Sequence, residues 1–164
     1  MHALWFLSGL IALAAAWAGP LPQLAERAFF AHMTMHVIVV AVAAPLFSLG
    51  LAGGRFDPVR HAPKWFAPIP ASIGELILVW AWHAPALHSL AHNNSWGLFA
   101  EQGTFLLAGL AVWLSAFGGT DPPHSGRRAA GVVGLLLTAM HVTLLGALLA
   151  LAPRPLYDHY PGYV

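Results

Sequence analysis

His32 and His36 stand four residues apart at the mouth of a long apolar run, FFAHMTMHVIVVAVAAPLFSLG. On a helix, that spacing puts both imidazoles on one face, where they can hold a metal ion or bracket a cofactor. Inside a bilayer such a pair is unexpected, because polar side chains there are costly and face a bundle interior or a site. Met33 and Met35 flank the histidines. A thioether can ligate cuprous ion, but the spacing reads both methionines as packing residues off the His32/His36 face.

Four further groups carry the same chemistry. His83 lies in LVWAWHAPALHSLAH, where it is either a ligand or the partner of a carbonyl freed by Pro85. His88 and His92 repeat the four-residue spacing close to water, which makes them weaker candidates. His141, in LLLTAMHVTLLGALLALA, falls near the bilayer middle and needs a ligand or a carboxylate inside the bundle to hold it. Glu101 is placed to pair with a protonated imidazole or to orient a metal-bound one from behind. Glu75, the other intramembrane carboxylate, receives no role.

The chain contains no cysteine. That removes disulfides, iron–sulfur clusters, c-type haem attachment, thiolate metal sites and the copper chaperones that work through paired cysteines. Ten histidines against seven Lys plus Arg leave imidazole as the available ligand. Such a set suits copper, zinc or haem iron. No serine or lysine is set beside a base and no Gly-rich phosphate loop is present, so the chain does not read as an enzyme.

The elements that must position these groups are helices in lipid. The 164 residues are 59% hydrophobic and 8% charged, where soluble domains carry about 25% charged residues. The mean hydropathy is +0.69. A net charge of +1 points to no nucleic-acid partner. The pattern predicts an all-α polytopic membrane bundle of about five transmembrane helices in one domain, residues 1–164. The helices fall at about 3–18, 28–51, 71–90, 97–117 and 129–151, with Pro45 bending the second. Ala16-Trp17-Ala18 before Gly19-Pro20 resembles a signal-peptide cleavage site, but the segment before the apolar run lacks Lys and Arg, so helix 1 reads as retained. Gly103, Ala108, Gly109, Gly146 and Ala150 suit close helix packing. Trp65, Trp96 and Tyr157 read as interfacial anchors. His61 and His124 read as solvated loop residues.

Short loops rich in Lys and Arg stay on the cytoplasmic side. With five spans, Arg55, Arg60, Lys64, Arg127 and Arg128 share the side of the N-terminus, and only Arg27 and Arg154 lie opposite. The N-terminus is therefore expected in the cytoplasm and the C-tail outside. In that frame His32, His36, His83, His88, His92 and Glu101 gather toward the outer face, with His159 in the outer tail, and the expectation is one cluster that also includes His141.

Four ordered segments resemble a known family. AHMTMHVIVVAVAAPLFSLG is similar to the HMxxH…APL…LG segment of the CtaG family of polytopic cytochrome c oxidase assembly factors, and WAWHAPALHSLAH is similar to its WHxPxLY segment. AEQGTFLLAGLAVW resembles its EHxxFLxxGxxFW segment, and LLGALLALAPRPLYDHY its LLGAxLxxxxxPLY segment. The likeness covers most of 28–160. Glu101-Gln102 stands where the family has Glu-His, so one ligand of the family pattern is missing, and the chain reads as a short relative. The resemblance implies maturation of a haem–copper oxidase by copper binding or delivery, with cytochrome c oxidase subunits as partners. It also implies residence in a bacterial plasma membrane with a periplasmic C-terminus. The positions that carry over are His32, His36, His83, Glu101 and His141, while His88 stands where the family often has tyrosine. Two other functions remain open at this point: a non-catalytic accessory subunit of the mature oxidase, and a b-type haem carrier using a pair such as His36 and His141.

Overall fold

The computed structural model describes residues 1–119, 125–153, 156 and 157. His124, Arg154 and His159 lie outside the described residues, as does most of the tail. Among the described residues the chain is all-helical, without strands. Helix α1 is His2–Ala18 and α2 is Leu21–Ala25. Helix α3 runs continuously through Phe29–Leu51. A single turn, α4, follows at Pro58–His61. Helix α5 is Pro68–Trp82, α6 is Pro85–Asn93, α7 is Ser95–Phe117 and α8 is Ser125–Ala150.

Three helices, Phe29–Leu51, Ser95–Phe117 and Arg128–Ala150, are long and apolar enough to cross a membrane, and α1 and α5 are apolar but shorter. The five expected spans thus become three full-length helices and two short ones. The shortening of the third has a clear cause. Pro85 has no N–H to donate and forces Ala84 into an extended conformation (φ −66°, ψ 137°). The expected helix 71–90 is therefore cut in two, with His83 as the residue that caps the first piece.

Pro45, expected to bend α3, is preceded by a change of helix type. The turns before it, Ile38–Ala43, widen to π-helix. Widening shifts the hydrogen-bond register ahead of the missing proline donor. The carbonyl of Val40 accepts a hydrogen bond from the Trp113 indole at 2.9 Å, which ties α3 to α7.

Small residues allow the close approaches. A Cβ on Gly9 would stand 3.0 Å from the Phe47 ring, and one on Gly109 would stand 3.1 Å from Ala44. Gly103 and Gly146, expected in the same role, have nothing within 4 Å. At the end carrying Arg55, Arg60 and Lys64, buried Asp57 accepts hydrogen bonds from the backbone N–H groups of Gly53, Val59 and Gly119 at 2.8–2.9 Å. That carboxylate fastens the 52–57 loop to the end of α7. The histidines converge at the opposite end.

Candidate metal site

Asn94 starts α7 by accepting the Trp96 N–H at 2.9 Å. Glu101 then falls two turns inside, facing the first turns of α3. His32 Nε2 stands 3.5 Å and His36 Nε2 3.8 Å from the same oxygen, Glu101 Oε1. The two imidazoles meet edge to face, with ring centroids 4.4 Å apart. The ligand atoms of His32, His36 and Glu101 all lie within 4.8 Å of one another, and all three residues are buried. None of the three atoms has a hydrogen-bond partner among the described residues. Buried polar atoms are almost always satisfied, so three bare ones this close together mark a candidate cation site. Glu101, expected either to pair with a protonated imidazole or to orient a metal-bound one from behind, faces both imidazoles directly. Ligands of a bound zinc or copper stand about 3–4 Å apart, which these separations approach.

Two more histidines adjoin the triad. The His83 ring lies 5.7 Å from that of His36 and stacks on Phe105. Its Nδ1 donates to the Val79 carbonyl at 2.7 Å, which leaves the Nε2 lone pair available. His88, expected near water, is fully buried, with its ring 4.9 Å from His32 and 3.9 Å from Tyr157. Tyr157 is itself buried and donates from its hydroxyl to the His83 carbonyl at 2.8 Å. It closes the cluster and does not anchor it at the interface, because the break at Pro85 leaves a carbonyl for it to cap. Trp65 and Trp96 are exposed as anchors should be.

A recess of about 130 Å³ lies against His32, lined among others by exposed Glu26 and Asn94 at its mouth and by buried Met35. His92 lines it too, outside the triad. Partial burial holds the His92 imidazole below its ordinary pKa, the positive field of His32 adds to this, and Glu26 opposes it. Met35 is three residues from His32, so the two are helical neighbours, contrary to the placement read from the sequence.

His141 is not part of the cluster. Its Nε2 stands 3.6 Å from Glu75 Oε2. Glu75 lies eight residues before His83 on one helical path, about 12 Å along the axis. Depth decides this: His141 is level with Glu75, and the triad is level with the His83 end of α5.

Gln102 is the residue whose role sequence reasoning missed. It is buried, and its amide bridges α1 and α3: Trp17 Nε1 donates to Gln102 Oε1 at 3.2 Å, and Gln102 Nε2 donates to His36 Nδ1 at 3.1 Å. An indole N–H can only donate, so Oε1 must face Trp17 and the NH2 must face His36. Nδ1 of neutral His36 is therefore an acceptor, and its proton sits on Nε2, pointing at Glu101. The signal available in the sequence was adjacency, since Gln102 turns inward beside Glu101.

A family model for the cytochrome c oxidase caa3 assembly factor, CtaG, matches residues 1–163. The chain belongs to this family. No curated protein and no solved structure matches it. Within the family pattern, the Glu-Gln pair at 101–102 now has a physical reading: the glutamate joins the two α3 histidines, and the glutamine sets the tautomer of one of them.

Proposed function

We propose that this chain, a cytochrome c oxidase assembly factor by its family, binds a copper ion as cargo at His32, His36 and Glu101 and supplies it to the oxidase during maturation. The observation that carries this reading is the set of three buried ligand atoms within 4.8 Å of one another, none of them hydrogen-bonded among the described residues. Two imidazole nitrogens and a carboxylate oxygen suit a divalent copper or zinc ion, and neighbouring His83 and His88 offer further imidazole. The role is binding and transfer, with no bond of a substrate made or broken by the chain.

The cationic loop residues Arg55, Arg60 and Lys64 stand at one end of the bundle and the histidines at the other. The asymmetry of Lys and Arg supports a cytoplasmic N-terminus, so that the cluster and the recess at His32 face the periplasm of a bacterial plasma membrane. The haem-carrier alternative loses support, because His141, one of its two axial ligands, stands beside Glu75 and apart from the His36 cluster.

Elemental analysis and a visible spectrum of one purified sample test the proposal. Stoichiometric copper that disappears in His36→Ala is the expected result. A Soret band, or no copper above the level of the His36→Ala protein, overturns it. Stable co-purification with active oxidase, without bound copper, would favour a permanent accessory subunit.

A further inference from the structure

Helices α5 and α8 enclose an open-sided groove of about 810 Å³ that copper handling does not use. Ser72, His141 and Thr143 are the polar residues of its lining, and behind them runs a chain of polar side chains. Ser72 and Thr138 share a hydrogen bond at 3.1 Å, Thr138 donates to Glu75 Oε2, and His141 Nε2 stands 3.6 Å from that oxygen. Glu75 is 1% and His141 6% exposed. Even so, Glu75 Oε1 and both ring nitrogens of His141 are buried without a hydrogen-bond partner among the described residues. The walls are Ile73, Leu76, Leu137, Met140 and Leu144, all exposed on the outside of the bundle within apolar helices.

These features restrict what fits. Bare donors and acceptors in an apolar wall carry a desolvation penalty that a bound group can remove. A ligand arriving sideways from the hydrocarbon must be neutral and mostly apolar. Its head must accept from the N–H of a neutral imidazole and donate to a carboxylate oxygen or the other ring nitrogen. A hydroxyl does both. A metal ion is a poor match, since only two ligand residues are present and the lining is almost wholly apolar. A transmembrane helix would cover the walls but leave the sunken polar chain unsatisfied. The volume lies in the range of small-molecule sites.

We propose that this groove binds a lipid-soluble molecule by a hydroxyl head group seated at His141, with Glu75 directly behind it, and with its hydrocarbon tail along the α5 and α8 walls. The site is separate from the copper triad and does not depend on it.

Photolabelling of the full chain in liposomes tests this with three probes: a diazirine derivative of hexadecanol, its methyl ether, and the corresponding alkane. The alcohol should label peptides spanning 72–76 and 136–147 about tenfold more than the ether, the effect of one to two buried hydrogen bonds. Unlabelled hexadecanol should compete. Glu75→Gln and His141→Leu should each bring the alcohol down toward the level of the ether. Equal labelling by all three probes in the unaltered protein overturns the proposal and leaves the groove as a plain lipid-contact face or the seat of a partner's helix. That comparison holds even where a variant fails to fold. A preference for the alcohol that survives both substitutions in folded protein overturns it equally.

Discussion

Replacing Trp17 with phenylalanine should tighten copper binding at a site that Trp17 does not touch. With Oε1 of Gln102 held by the indole and Nε2 by His36 Nδ1, the His36 proton sits on Nε2, the nitrogen that faces Glu101. Metal ligation needs that lone pair, so the proton must move to Nδ1 and be donated to Gln102. The amide then has to turn, presenting its NH2 to the indole N–H, donor against donor. The Trp17 hydrogen bond is lost on loading. A net hydrogen bond contributes about 0.5–1.5 kcal/mol. In Trp17→Phe there is no bond to lose, so affinity should rise roughly two- to tenfold. The assay is a competitive copper titration on detergent-purified protein, with an unfolding curve for each variant to confirm that both are folded. Nitrogen NMR shifts of histidine-labelled protein should move His36 from an Nε2-protonated form in the metal-free protein to an Nδ1-protonated form on loading. Unchanged or weaker affinity in folded Trp17→Phe, or Nδ1 protonation before metal is added, would refute the tautomer argument.

Three other expectations can be checked directly. His32→Ala and His36→Ala should abolish oxidase maturation in cells at normal protein levels, while exposed His61, which meets the Arg55 carbonyl, should tolerate alanine; equal effects would remove the case for a specific site. Asp57→Ala leaves three backbone N–H groups near the end of α7 without their acceptor and should destabilise by at least about 3 kcal/mol, read as an earlier unfolding midpoint in detergent with copper stoichiometry retained in the folded fraction. A reporter fused to the C-terminus should read as periplasmic, and a cytoplasmic readout would reverse the orientation and place the histidines on the wrong face for outward delivery.

Composition and hydropathy were enough to establish a helical membrane protein, because a bilayer forces every backbone polar group into helical bonds and leaves a long apolar signature. Spacing along a single helix was equally legible. His32 and His36 share a face because 3.6 residues make a turn, and the four ordered motifs carried the family. Pairings across helices were not legible. Which oxygen two imidazoles meet depends on how deeply each helix sits and on its rotation about its axis, and neither is written in periodicity. Thus Glu101 came to face both His32 and His36, and His141 went to Glu75 instead of the cluster, since level along the bundle outweighs chemical affinity. The break at Pro85 was in the sequence, but that it would leave a carbonyl for buried Tyr157 to cap was not. The role of Gln102 was furthest from view. An amide has no fixed preference until its neighbours impose one, and only packing α1 against α7 brings the donor-only indole that orients it.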